Sequence, residues 1–217
     1  MEYLIDSANL KKIRELNDIY PVAGVTTNPS ILSRCKIDVV SAIKGIREIM
    51  GNKMLHVQVL ANDYNGIVRE AKKLVELGGE NTYIKIPVSE TGIKAIKHLS
   101  EKGYNITATA IFTPQQALMA ATAGAKYVAP YVNRLDNIAI NGIEIAFEIQ
   151  RLLKDNGLNC KVLAASFSNV EQIHMIALKG IESMTIPVEL FPKMIQHPLT
   201  DRAIADFVTD GSEYYNI

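Results

Sequence analysis

The stretch Asn81-Thr82-Tyr83-Ile84-Lys85-Ile86-Pro87-Val88-Ser89-Glu90-Thr91-Gly92 has a centre, Tyr83 to Pro87, with the composition of a short buried strand and a lysine in its middle. Lysine is almost never fully buried without a partner, because removing an ammonium from water is costly. The other lysines fall on helix-like faces (Lys72, Lys94, Lys97) or at strand starts (Lys53, Lys126, Lys161), where solvent is near. Lys85 alone lies inside a strand. Its position asks for a purpose.

Outward from this strand, apolar runs of strand length recur with helix-like segments between them, the pattern of repeated βα units. The runs are Tyr3–Asp6, Gly24–Thr27, Leu55–Leu60, Tyr83–Pro87, Ile106–Phe112, Tyr127–Val132, Val162–Phe167 and Ser183–Val188. Most are nearly continuous in apolar residues, as expected of parallel strands covered on both faces. Eight such runs in 217 residues predict a compact (β/α)8 TIM barrel. Helix signals agree with the count. Thr113-Pro114-Gln115-Gln116 offers an N-cap, a proline at the first helical position and a capping-box glutamine, and Gly124 supplies the stop. Asp38 can cap a helix that ends at Gly51, and Ser168-Asn169-Val170-Glu171 reads as a second capping box. His197-Pro198-Leu199-Thr200 opens an added segment with Ile204, Phe207 and Val208 on one side. The expected organisation is one barrel domain over 1–217, with 198–217 as a C-terminal helical extension. An open doubly wound sheet is the rival fold, but no GxGxxG follows the first strand.

Composition narrows the function. Hydrophobic residues make up 48 %, enough for a sizeable core. Lys+Arg and Asp+Glu are 23 each and no long block of either sign appears, which argues against a nucleic-acid or membrane partner. No apolar run has membrane-spanning length, and Met1–Asp6 looks like the start of a strand, not a signal peptide. Cys35 and Cys160 form no CxxC pair and read as two reduced thiols of a cytoplasmic protein. The four histidines are scattered, with no HxH or HExxH, and neither a GxSxG elbow nor a Walker sequence is present. No metal and no cofactor is expected.

In a (β/α)8 barrel the chemistry sits at the C-terminal ends of the strands. Here those ends carry Asp6, Thr26 with Asn28, Gln58, Lys85, Thr109, Tyr131 with Arg134 just beyond, and Ser166. Nearly every strand sends a polar residue to one face. Each has a plain reading and a functional one. Desolvation favours the neutral amine of Lys85, the form that attacks a carbonyl to make a Schiff base; the plain reading is a snorkelling or ion-paired lysine. Asp6 is either an N-cap or a carboxylate that stabilises an iminium ion. Tyr131 is a rim aromatic or an acid/base phenol, and Gln58 and Thr109 either satisfy the backbone or hold a catalytic water. Arg134 either pairs with Asp136 or binds a phosphate.

The segments Leu4-Ile5-Asp6-Ser7-Ala8-Asn9, Ala23-Gly24-Val25-Thr26-Thr27-Asn28-Pro29-Ser30, Ile84-Lys85-Ile86-Pro87, Ala125–Arg134 and Leu163-Ala164-Ala165-Ser166 resemble the transaldolase family, in its short fructose-6-phosphate aldolase-like group. They spread over almost the whole chain in the expected order. The resemblance implies that Lys85 is the Schiff-base lysine and Asp6 its aspartate. It implies that Thr26 and Asn28 contact the donor ketose, and that Arg134 and Ser166 bind a phosphate. It also implies sugar-phosphate and dihydroxyacetone substrates and a cyclic homo-oligomer, often a decamer, in which the C-terminal helix packs on a neighbour. Two activities share the scaffold. Transaldolases of this size have glutamate, an asparagine-containing fifth strand and a Ser-Pro-Phe-Val-Gly-Arg-like segment where this chain has Gln58, Thr107–Ala110 and Ala129–Arg134. The expectation is therefore an aldolase that cleaves or forms fructose 6-phosphate. Phe112, where aldolase relatives often carry tyrosine, departs from it. A transaldolase of the pentose phosphate pathway and a non-catalytic sugar-phosphate binding barrel are the alternatives.

Overall fold

A computed structural model describes residues 1–215, and its sheet is a closed barrel of eight parallel strands in sequence order, with the first paired to the last. The strands are β1 (Glu2–Asp6), β2 (Val22–Thr26), β3 (Met54–Gln58), β4 (Thr82–Pro87), β5 (Asn105–Ile111), β6 (Tyr127–Pro130), β7 (Lys161–Ala164) and β8 (Ser183–Pro187). The helices are α1 (Leu10–Ile19), α2 (Pro29–Cys35), α3 (Val39–Met50), α4 (Tyr64–Gly78) and α5 (Glu90–Glu101), followed by α6 (Pro114–Thr122) and α7 (Val132–Asp136). The last three are α8 (Gly142–Asp155), α9 (Val170–Leu178) and α10 (Pro198–Gly211). All eight sequence runs are strands, and the (β/α)8 expectation holds. The largest differences at the C-terminal ends are in three strands: β3 stops short of Leu60, β6 of Val132 and β7 of Phe167. Tyr131 makes only an isolated bridge to Ala165 before α7 begins, and Ser166 takes φ +64°, where an L-residue leaves the strand region.

The caps follow local chemistry. Thr113 and Gln116 form the expected capping box, and Asp38 accepts from Ser41 N at the start of α3. At α9 the cap is Asn169, not Ser168: Asn169 accepts from Gln172 N, while Gln172 Oε1 accepts from Ser168 N. Asp6 is no cap either. That place belongs to Asn9, whose side chain accepts from Lys12 N, which frees the Asp6 carboxylate for other contacts.

Strand alternation divides the core. Outward residues such as Ile5, Val25, Leu55, Val57, Ile84, Ile86, Ile106 and Ala108 are buried beneath the helices in one large cluster. Inside the barrel, Leu4, Tyr127, Ala129 and Leu163 form a separate small cluster with Met54 and Tyr83 packed on it. The His56 ring stacks on Tyr83 at 4.5 Å and meets the edge of Tyr127 at 5.3 Å. The Tyr127 hydroxyl donates to Glu2, which also pairs with Lys161 at 2.6 Å. These side chains plug the N-terminal half of the barrel. The C-terminal end of the barrel is left open and carries a cavity of about 440 Å³.

α10 is the exception to this economy. It buries none of its residues, and Leu199, Ile204, Phe207 and Val208 are all exposed, Phe207 by 72 %. Residues 216 and 217 of the expected extension lie outside the described residues. No helix among the described residues is long and apolar enough to cross a membrane.

Candidate active site

Lys85 enters the barrel because it occupies an inward position of β4, level with Gln58 on β3 and Thr107 on β5. It is 5 % exposed and lies in a cavity of about 440 Å³ at the C-terminal ends of the strands. Its Nζ donates to the Thr27 carbonyl at 3.0 Å, the one hydrogen bond of that ammonium among the described residues. Among the described residues no carboxylate comes within 4.0 Å of it. Burial therefore pushes the Lys85 amine below its ordinary range, and Asp6 pulls it partly back.

Asp6, at the end of β1, lines the same cavity. Thr26 Oγ1 donates to Asp6 Oδ1 at 2.6 Å and also bonds the hydroxyl of Thr185 at 2.6 Å. Burial raises the Asp6 carboxyl above the usual range; the Lys85 charge, the Thr26 bond and Arg34 act against that, and Glu189 adds to it. A partly desolvated acid and a partly desolvated amine thus share one pocket, each limiting the other's departure from its solution value. His56 stands lower in the barrel, fully buried, with Nδ1 2.8 Å from Thr107 Oγ1. Burial and the charge of Lys85 hold its ring well below the normal histidine range, so it is neutral at pH 7.

Across the mouth, Tyr131 OH lies 3.0 Å from Thr109 Oγ1. Two backbone distortions set up that side. Ala110 at φ +58° coincides with a slip in the β5–β6 register just past Thr109, and Ser166 at φ +64° turns the chain over the cavity. Each such conformation costs on the order of 1–3 kcal/mol and persists where surrounding contacts fix it. Here Ser166 O accepts from Asn133 N at 2.8 Å. The Arg134 guanidinium lies 4.6 Å over the Tyr131 ring and does not pair with Asp136, which instead accepts from Gln172 and from Gly142 N.

Of the nine residues singled out in the sequence, Asp6, Thr26, Asn28, Lys85, Thr109, Tyr131, Arg134 and Ser166 all line the cavity. Gln58 ends β3 beside Lys85 but is not part of the lining. Sequence reasoning passed over Thr185 and Arg34, which do line it. Thr185 had a signal: it is a hydroxyl inside the eighth apolar run, as Lys85 is an ammonium inside the fourth.

A (β/α)8 barrel with a buried strand lysine, a nearby carboxylate and a phenol in one pocket is equipped for amine chemistry on a carbonyl compound. The chain belongs to the Transaldolase/Fructose-6-phosphate aldolase family, whose profile matches residues 3–214. A probable fructose-6-phosphate aldolase of Streptococcus pneumoniae is 38 % identical over 212 residues, covering 97 % of this chain and 96 % of its own. A probable transaldolase of Clostridioides difficile is 39 % identical over 210 residues, with the same coverage of 97 % and 96 %. One of Methanococcus maripaludis is 38 % identical over 216 residues, the full length of both chains. In shape the chain is similar to a dihydrodipicolinate synthase from Rhodopseudomonas palustris, with TM-score 0.63 and 16 % identity over 97 % of this chain and 79 % of the other. That likeness speaks to the barrel alone.

The Asp6–Lys85 coupling has a measurable sign. Asp6 favours the ammonium, so Asp6→Asn is expected to lower the titration midpoint of Lys85 further below the usual lysine range. NMR titration of the Lys85 side chain in the two proteins checks this; an upward or absent shift contradicts the coupling.

Proposed function

We propose that this chain is a class I aldolase that cleaves or forms fructose 6-phosphate from dihydroxyacetone and glyceraldehyde 3-phosphate, with no metal or organic cofactor. The neutral Lys85 amine attacks the ketose carbonyl carbon C2, and the carbonyl oxygen leaves as water. The resulting iminium accepts the electron pair of the C3–C4 bond as that bond breaks, and the aldehyde departs. An enamine of dihydroxyacetone remains on Lys85. Protonation at C3 and hydrolysis of the imine then free dihydroxyacetone and the amine. Asp6 stabilises the positive iminium and helps move protons while it forms. Thr26 and Asn28 bind donor hydroxyls, and Arg134 with Ser166 holds the phosphate.

The observation that carries aldolase over transferase is the Tyr131 hydroxyl, set 3.0 Å from Thr109 in the Lys85 cavity. Release of the donor needs a proton delivered to the enamine, and a phenol with a hydroxyl neighbour can relay one through a water. Gln58, level with Lys85 on the adjacent strand, is the remaining polar group that can steady that water. Transaldolase is the second reading, favoured by the relatives named probable transaldolase at similar identity. In it the dihydroxyacetone unit passes from sedoheptulose 7-phosphate to glyceraldehyde 3-phosphate, within the pentose phosphate pathway. The two free cysteines suit a cytoplasmic setting for either.

With fructose 6-phosphate as the only sugar, many equivalents of glyceraldehyde 3-phosphate per subunit are expected. A burst near one equivalent that resumes only with erythrose 4-phosphate would establish the transferase instead. Tyr131→Phe is expected to lower dihydroxyacetone release by about 10²–10⁴-fold, as loss of a positioned proton carrier does. Dihydroxyacetone transfer to an added aldose phosphate should fall far less; equal losses would contradict the role given to Tyr131.

The exposed apolar side of α10 supports a homo-oligomer in which that helix covers a neighbouring copy. Sedimentation of the full chain should give a mass several times the monomer's 23.9 kDa. A chain ending before Pro198 should sediment as smaller species. A monomeric full chain would rule the assembly out.

A further inference from the structure

Two short hydrogen bonds lead from β8 to the carboxylate of the site, and the activity proposed above gives their starting point, Thr185, no part. β1 lies between β2 and β8 in the barrel. Thr26 on β2 is the register partner of Asp6, and Thr185 on β8, partner of Leu4, reaches Thr26 across β1. All three side chains line the cavity; Thr26 is fully buried and Thr185 is 2 % exposed. Thr26 Oγ1 lies 2.6 Å from Asp6 Oδ1 and 2.6 Å from Thr185 Oγ1. A hydroxyl has one hydrogen, and an ionised carboxylate only accepts. Thr26 therefore donates to Asp6, and the Thr185 hydroxyl donates to Thr26. Hydrogen bonds in series polarise one another, and a separation this short is typical of a hydroxyl bonded to a charged oxygen. A proton placed on Asp6 Oδ1 would reverse both donors and leave the Thr185 hydrogen with no acceptor in the chain. Around Asp6, burial opposes its ionisation most; Lys85 on β4, Thr26 on β2 and Arg34 on α2 favour it, and Glu189 after β8 opposes it. Of these groups only Thr26 is hydrogen-bonded to the carboxylate among the described residues.

We infer that Thr185 is a positioning residue for the reaction at Lys85: its hydroxyl holds Thr26 as a donor to Asp6 and so fixes the carboxylate, ionised, beside the lysine and not against it. This rests on the reading of Lys85 as the lysine that forms the imine. Thr185 acts through Thr26. Without its hydrogen the Thr26 hydroxyl is free to rotate, and the buried carboxylate loses the partner that offsets its desolvation. The iminium then forms beside an acid that is less firmly placed and less readily ionised. The same chain fixes how Thr26 meets a substrate. Its hydrogen is committed to Asp6 and one lone pair to Thr185, so it meets a donor hydroxyl of the ketose as an acceptor, through the lone pair that remains.

Two variants of the full chain test this. Thr185→Val keeps the branched shape and removes the hydroxyl, whereas Thr185→Ser keeps the hydroxyl. The Asp6 carboxyl is titrated by carboxyl-carbon NMR in the wild type and in both variants. The imine formed with dihydroxyacetone at pH 7 is reduced with cyanoborohydride to a stable secondary amine, and its rate of formation is followed as mass added to the intact protein. In Thr185→Val the Asp6 midpoint should rise by about half to one pH unit, part of the worth of a hydrogen bond to a charged group, and trapping should slow several-fold. Thr185→Ser should restore both. The melting temperature of each protein separates this role from simple packing. A Thr185→Val protein that melts lower with its Asp6 midpoint and trapping rate unmoved overturns the inference. So does a midpoint that falls, or a loss that Thr185→Ser does not restore. In each of these cases trapping in the wild type leaves the imine mechanism standing; a wild type that traps no dihydroxyacetone overturns both.

Discussion

The cost of keeping an amine out of water is the constraint around which this barrel is arranged. Lys85 sits at 5 % exposure with a backbone carbonyl as its hydrogen-bond acceptor and, among the described residues, no direct ion pair. Taking an ammonium out of water into the protein interior costs several kcal/mol after relaxation, so the neutral form gains relative to water. A carboxylate in contact would offset that cost and leave a protonated, inert lysine. Asp6 is instead held at a distance by Thr26, itself fixed to Thr185 across β1. The spacing leaves the lysine electrostatically coupled to the acid but not neutralised by it.

The rest of the fold maintains that state. The outward halves of the strands supply the apolar burial that holds the domain together, so the inward halves are free to carry polar groups. His56, Tyr83 and Tyr127 plug the lower barrel, and the neutral imidazole places no second charge beneath the lysine. At the upper rim, the two left-handed residues Ala110 and Ser166 lie at the polar lining of the cavity, Ala110 next to Thr109 and Ser166 in the lining itself. Stability and reactivity draw on different faces of the same strands.

Much of this was legible in the sequence because it follows from side-chain alternation. A lysine within a buried run, or a threonine within one, has nowhere to go but inward and toward a strand end. The eight apolar runs and the caps at Thr113 and Asp38 were readable for the same local reason. What escaped depended on placement that no local pattern carries. The ends of β6 and β7 are set by a bridge at Tyr131 and a left-handed Ser166, neither of which has a glycine to announce it. The pairing imagined for Arg134 and Asp136 failed because Asp136 was taken by Gln172 from α9 and by Gly142 N. Arg34, exposed on the short helix α2, carries no local signal; it is the closure of the barrel that brings α2 to the cavity.

The most direct test of the central claim is to reduce the wild-type protein with borohydride in the presence of fructose 6-phosphate and locate the adduct by peptide mass mapping. The account predicts a single modified lysine, Lys85, with activity lost in proportion to its modification. An adduct on a different lysine, or full activity in protein whose Lys85 is blocked, would contradict it.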